Sequence, residues 1–335
     1  MGNILFQPDA LELHEALKHL NTECEILGRS EGPRTISYQV RPIRGVTIQR
    51  VKSRMDDLAV QLGAEYCICR QDGGRLYIET AKHEPRIPLY ESIVPPEDPR
   101  DILVGVDTSG QPVTMRLANM VHAIVAGCSG AGKSVALRCL IRGFAEVAGT
   151  SIRVVDPKGG GDFGPSRIAQ IGSHKLSKLW VEGQVKSSTS YAIGSTYNHL
   201  RWKMGRKGAW PPSSEEAPPV GDAPLILIVD EIQSLISDRM TKTMLTDLLC
   251  LGRSYGIHVI LATQAPSAKV LGGNEVRANA TTRLVLRVAN SSDSRVALTE
   301  SGAENLLGQG DALFMYNGRT VRLQVPYLAS LEDTE

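Results

Sequence analysis

Ala126-Gly127-Cys128-Ser129-Gly130-Ala131-Gly132-Lys133-Ser134 fits the phosphate-binding loop pattern Gly-x-x-x-x-Gly-Lys-Ser/Thr without a gap. The residues before it, Val121-His122-Ala123-Ile124-Val125, read as a buried strand, and those after it, Val135 to Phe144, as a helix. A strand, a glycine-rich turn and a helix in that order are the context the pattern needs. Glycines at 127, 130 and 132 let the backbone curl so that successive N–H groups point into one concavity, where side chains would block a phosphate. The helix entered through Lys133-Ser134-Val135 adds its positive N-terminal end. Lys133 is expected to reach the β- and γ-phosphates and the Ser134 hydroxyl to hold Mg²⁺, so the expected ligand is a nucleoside triphosphate with magnesium. Cys128, inside the loop, reads as a small filler in a place where a helix N-terminus lowers a thiol's pKa.

Working outward, a chain of 335 residues exceeds the usual single-domain size. Hydrophobic residues at 42% and charged residues at 22% describe a water-soluble globular protein. No apolar run is long enough to span a bilayer, and the N-terminus has neither a basic leader nor a myristoylation match, position 6 being Phe. A cytoplasmic location without membrane insertion is expected. Six cysteines (Cys24, Cys67, Cys69, Cys128, Cys139 and Cys250) are scattered, and Cys67 and Cys69 have no second Cys or His pair nearby, so reduced thiols are expected rather than a zinc site. The net charge of +1 neither supports nor excludes nucleic acid, because local patches decide that.

Residues 1–95 read as a small α+β subdomain: a helix over 11–20, a strand over Arg34–Val40, a helix over Val46–Leu62, then strands Cys67–Arg70 and Arg75–Glu79 joined at Asp72-Gly73-Gly74. Residues 83–100, rich in Pro and charge, read as a linker. Residues 96–335 change to strands alternating with helices, the pattern of an α/β domain with a parallel-rich sheet. Its strand candidates are Val121–Val125, Ile152–Val155, Leu225–Val229, Val259–Ala262 and Leu284–Val288, the first, third and fourth nearly all apolar, as strands buried on both faces are. The stretch Gly205 to Ala223, rich in Pro, Ser and Glu, reads as a surface loop.

Leu225-Ile226-Leu227-Ile228-Val229 ends in Asp230-Glu231. Beside a phosphate loop, Asp230 is expected to hold Mg²⁺ through its water shell and Glu231 to orient or deprotonate the attacking water. Adjacent residues of an extended chain point to opposite sides, so the turn after the strand must bring the second acid in. Val259 to Ala262 continues into Thr263-Gln264 at the same sheet edge, so Gln264 is a candidate for the γ-phosphate or the water. Asp156-Pro157-Lys158-Gly159-Gly160-Gly161-Asp162-Phe163 follows a further strand; Lys158 and Asp162 could join the site or a subunit contact.

Several stretches besides the loop carry a resemblance. Asp156-Pro157-Lys158, Ile257-His258-Val259-Ile260-Leu261-Ala262-Thr263-Gln264-Ala265-Pro266-Ser267, Asp293-Ser294-Arg295, and Gly302 to Leu313 with its Gly308-Gln309-Gly310-Asp311 follow one order. In these the chain resembles, over almost its full length, the motor of the FtsK/SpoIIIE family of double-stranded DNA translocases. The resemblance implies an α subdomain followed by a RecA-like β subdomain, ATP as the nucleotide, and a homo-hexameric ring around duplex DNA. It also implies an arginine from the next subunit at each site, with Arg283 favoured and Arg295 the runner-up; a guanidinium there would neutralise charge on the transferring phosphoryl. Two pore loops would touch the DNA backbone, Ser237 to Thr243 with Arg239 and Lys242, and Ser267 to Asn274 with Lys269, giving sequence-independent, salt-sensitive binding. By this resemblance a stand-alone motor is expected, without the membrane helices and C-terminal winged-helix module common in the family; the last residues are the acidic Leu331-Glu332-Asp333-Thr334-Glu335.

The leading functional expectation is an ATP-driven duplex-DNA translocase. The alternatives are a conjugative-transfer or secretion ATPase of the same fold, and a nucleotide-switched clamp that does not translocate. Intact Lys133, Ser134, Asp230 and Glu231 argue against the clamp.

Overall fold

A computed structural model of the protein describes residues 9–82, 85–157, 163, 179–182, 186–205, 224–271 and 273–328. Lys158, Asp162, Gly272, most of the Pro/Ser/Glu-rich stretch and the acidic tail lie outside these residues. The chain forms two compact units, one of residues 1–88 with 106–111, the other of residues 89–105 with 112–335.

The first unit opens on the helix Ala10–His19, set by a reciprocal cap. Asp9 accepts from the Glu12 amide (2.8 Å), while the Glu12 carboxylate accepts from the Asp9 amide (3.0 Å). Leu13, Ala16 and Leu17 recur at helical spacing and are buried. An antiparallel sheet follows, β1 (Cys24–Glu31), β2 (Thr35–Pro42), β3 (Cys67–Asp72) and β4 (Arg75–Ala81), in the order β1-β2-β4-β3. The β3–β4 hairpin turns through Gly73 (φ +52°) and Gly74 (φ +78°), the two left-handed positions that such a tight turn requires. The expected helix over Val46–Leu62 is two helices, Ile48–Lys52 and Met55–Gln61. Between them the Ser53 hydroxyl turns back onto the Arg50 carbonyl (2.9 Å), a local bond that competes with helix continuation. Val51, Met55 and Leu58 still join one core with Leu13, Leu17, Ile36, Tyr38 and Ile78.

The second unit is built on a ten-stranded sheet. Its strands are β5 (Asp101–Asp107), β6 (Pro112–Arg116), β7 (Ala123–Ala126), β8 (Ser151–Val155), β9 (Leu179–Glu182), β10 (Leu225–Val229), β11 (Ile257–Thr263), β12 (Thr282–Leu286), β13 (Asp311–Tyr316) and β14 (Arg319–Gln324). They lie in the order β6-β5-β14-β13-β12-β7-β11-β10-β8-β9. From β12 to β9 all neighbours are parallel, whereas β13 and β14 add antiparallel. The parallel part carries the apolar runs, and residues of β10 alternate between two cores. Ile226 and Ile228 face the layer formed by the helix Lys133–Glu146, with Leu137, Leu140, Ile141 and Phe144. Leu225, Leu227 and Val229 face the layer formed by the helix Arg239–Leu251, with Met244, Leu245 and Leu248. A strand covered on both faces has no use for a polar alternation, which is why β7, β10 and β11 read as continuous apolar segments.

Candidate functional site

The order β7-β11-β10 brings three strand ends together. The phosphate loop leaves β7, the two acids leave β10, and β11 lies between them. Pairing of Thr263 with Ala126, and of Val229 with Leu261 and Val155, sets all these ends at one edge. Ligands bind at this edge of open parallel sheets.

The loop is held on both sides. The Gly127 amide donates to the Thr263 carbonyl (3.2 Å), the Cys128 amide to the Arg287 carbonyl (2.8 Å), and the Gly310 amide to the Ala131 carbonyl (2.8 Å). Gly130 (φ +77°) and Gly132 (φ +103°) take the left-handed conformation. A Cβ on Gly132 would stand 2.7 Å from the Gly310 nitrogen, so both conformation and close approach demand glycine there. The loop's tip, Ser129 and Gly130, is exposed. The helix Lys133–Glu146 starts where the sequence places Lys133, so its first-turn amides face the loop's concavity.

Lys133 is 5% exposed, and its ammonium pairs with Asp230 and lies 3.5 Å from a Glu231 oxygen. Asp230 and Glu231 are 2% and 4% exposed. The Asp230 carboxylate also accepts from the Glu231 amide (2.9 Å), and the Asp230 amide donates to the Val155 carbonyl (2.9 Å). Glu231 takes φ +48° and ψ +51°, left-handed for a residue with a long side chain. This turn solves the geometric problem posed by adjacent acids on a strand, because it brings the second carboxylate to the same side as the first. Asp156 stands one residue past β8, next to Asp230 across the strand pair, and is likewise buried.

Gln264 lies one residue past β11 and is half-buried. The strand-end group that joins the acids is instead Thr263. Its hydroxyl donates to Gln233 Oε1 (2.8 Å), and Gln233 Nε2 donates to the Glu231 carboxylate. Gln233 was not legible beforehand: it falls in the short 3-10 turn Ile232–Ser234, and no spacing rule points a residue there back at its neighbour.

The two arginines differ. Arg283, in β12, is 3% exposed and donates to the carbonyls of Ala280 (3.2 Å), Ala297 (2.9 Å) and Arg277 (3.2 Å). Burial, with Arg277 nearby, lowers its pKa. Arg295, on the helix Ser291–Leu298, is exposed. Arg239 and Lys242 are exposed on the first turn of the helix Arg239–Leu251, which Asp238 caps through the Thr241 amide (2.7 Å), and Lys269 is exposed on the helix Ala268–Leu271. The six cysteines are all free, and burial pushes the Cys67 and Cys139 thiols up to about 12.

This fold and site define an α/β domain with a phosphate-binding loop, the fold of P-loop ATPases. More narrowly, the FtsK alpha domain model matches residues 6–75 and the FtsK/SpoIIIE family model matches residues 96–167. Among similar proteins, DNA translocase FtsK of Halalkalibacterium halodurans is 29% identical over 99% of this chain and 45% of its own length. DNA translocase SftA of Bacillus subtilis is 26% identical over 94% of this chain and 35% of its own. The chain thus spans less than half the length of these curated relatives. In fold it is similar to the pCW3 conjugation coupling protein TcpA bound to ATPgS (TM-score 0.58, 22% identity, 95% of this chain and 94% of that one). A second likeness is to the cytoplasmic domain of the type VII secretion ATPase EccC of Thermomonospora curvata (TM-score 0.57, 20% identity, 72% of this chain and 31% of that one). No helix among the described residues is long and apolar enough to cross a membrane.

Proposed function

We propose that this chain is an ATP-hydrolysing motor that moves along double-stranded DNA, acting in the cytoplasm as a homo-hexameric ring. The observation that carries the reading is the convergence of Lys133, Asp230 and Glu231 at one sheet edge, in a chain that matches the FtsK alpha domain and the FtsK/SpoIIIE family models. In this reading Gly127 to Val135 cradle the phosphates. Lys133 turns from Asp230 to the β- and γ-phosphates, and Glu231 orients a water and takes its proton. The water oxygen bonds to the γ-phosphorus, the bond from that phosphorus to the β–γ bridging oxygen breaks, and ADP and phosphate leave.

The donor set suits Mg²⁺. A Ser134 hydroxyl and an Asp230 carboxylate are hard oxygen ligands, and no cluster of three or more His, Cys, Asp or Glu side chains forms a metal cage among the described residues. Mg²⁺ in nucleotide sites uses one or two protein oxygens plus phosphates, so such a cage is not needed. Bound there, Mg²⁺ would neutralise charge on the phosphates.

Of the two arginines, exposure favours Arg295 as the one offered to a neighbouring subunit, because Arg283 would first have to leave three carbonyls. Arg239, Lys242 and Lys269 are assigned to the DNA backbone. Gln264 remains a candidate for the γ-phosphate from its position at the strand edge.

Displacement of a triplex-forming strand from linear duplex tests the motor. ATP-dependent displacement is the expected result; ATP turnover that duplex stimulates without displacement would defeat translocation, and turnover indifferent to duplex would favour a secretion-type cargo. Glu231→Gln should abolish turnover while nucleotide still binds.

A further inference from the structure

The polar groups around Glu231 form a directed chain. The Ala265 amide donates to the Thr263 hydroxyl oxygen (3.2 Å), so that hydroxyl's own proton is free to point elsewhere, and it points at Gln233 Oε1 (2.8 Å). An amide whose oxygen is engaged must present its NH₂ on the other side. Gln233 Nε2 accordingly faces the Glu231 carboxylate and donates to it. Without the Thr263 hydroxyl the amide is free to turn over and set its oxygen against the carboxylate, which repels it. Thr263 is fully buried and Gln233 half-buried, so water does not readily substitute for either link. Thr263 also accepts the Gly127 amide on its carbonyl (3.2 Å), so one residue touches both the phosphate loop and the acid's support.

We propose that Thr263 and Gln233 are positioning residues for Glu231, fixing the orientation of its carboxylate as Lys133 turns to the phosphates. The proposal rests on the hydrolytic reading of Glu231. It concerns the end of β11, two residues before the turn that leads to Ser267 and the helix bearing Lys269. A shift of that loop would move the Ala265 amide and, through three hydrogen bonds, the carboxylate.

The test is steady-state ATP turnover on saturating linear duplex. Thr263→Val keeps the shape and removes the hydroxyl, and Gln233→Leu removes the amide. Each should lower kcat about tenfold, the low end of what outer partners of a site residue cost, with KM for ATP within about twofold. The double variant should be no worse than the more impaired single one, because both remove the same chain. Thr263→Ser should restore turnover to within about twofold. If Thr263→Val does not fold, Gln233→Leu carries the test. Wild-type kcat in Gln233→Leu, a loss confined to KM, or a Thr263→Ser variant as impaired as Thr263→Val would overturn the proposal. Undiminished turnover in Glu231→Gln would instead overturn the hydrolytic reading beneath it.

Discussion

Glu231 and Gly132 both occupy the left-handed region, for opposite reasons. Gly132 needs it because the loop must curl against Gly310 with no Cβ between them, so Gly132→Ala combines a strained φ with a 2.7 Å clash against backbone. We expect it to cost about 1–3 kcal/mol and to abolish nucleotide binding, read by thermal melting and by titration with a fluorescent ATP analogue. Glu231 has a Cβ and tolerates the strain because its amide, carbonyl and carboxylate are all engaged, by Asp230, Ser234 and Gln233. The arginines separate by the same kind of comparison. Arg283→Met should lower the melting temperature by several degrees, since three carbonyls, two of them buried, lose their donor. Arg295→Ala should leave the melting temperature unchanged and reduce turnover by about 10³, in the range of known arginine fingers; full turnover would remove it from the site. His122 offers a pH test. The Val259 amide donates to its Nδ1 (2.9 Å), and burial, reinforced by neighbouring His258, pushes its pKa down to about 4. Between about 6.5 and 4 the unfolded chain holds a proton there that the folded one does not, so stability falls as pH drops through that window and is unaffected above it. His122→Asn should flatten the loss of stability over that range in denaturant titrations; an identical slope would refute the assignment.

At the level of elements, apolar continuity made the central strands readable and little else. Leu225–Val229 was legible to the residue because both faces are covered, and β11 and β12 only to within a few residues. By contrast, β1, with a register shift between Ile26 and Gly28, carries polar residues at half its positions and gives no clean period. Of the strands β13 and β14, the first was recognised only within the motif Gly302 to Leu313 and the second not at all, because Asp311 and Arg322 put charges inside a core. Those charges close on each other in a buried two-pronged pair (3.0 and 2.7 Å) that no local pattern announces. The site divides likewise. Loop and acids were legible from spacing, whereas Gln233 and the burial of Arg283 depend on contacts distant in sequence or hidden in a turn. The two exposed basic elements carry a prediction of their own. Replacing Arg239, Lys242 and Lys269 by Ala should weaken duplex binding about equally across sequences and flatten its dependence on salt. An unchanged salt slope would remove these residues from the DNA path.

In the whole molecule, the phosphate loop leans on segments that come much later in the chain. The Ala131 carbonyl takes the Gly310 amide, and the Gly310 carbonyl takes the Val325 amide. Gly308, Gln309 and Gly310 hold three successive left-handed conformations to make that contact, and the Gln324 side chain ties down the Gln309 carbonyl (2.8 Å). The helix that follows the loop is anchored the same way, with Arg138 and Cys139 donating to the carbonyls of Leu328 and Pro326. A nascent chain released after Thr299 would therefore possess every signature residue from Gly127 to Glu231 and still lack a shaped nucleotide cradle. On the ribosome, the loop would gain these supports only once β13 and β14 have been made.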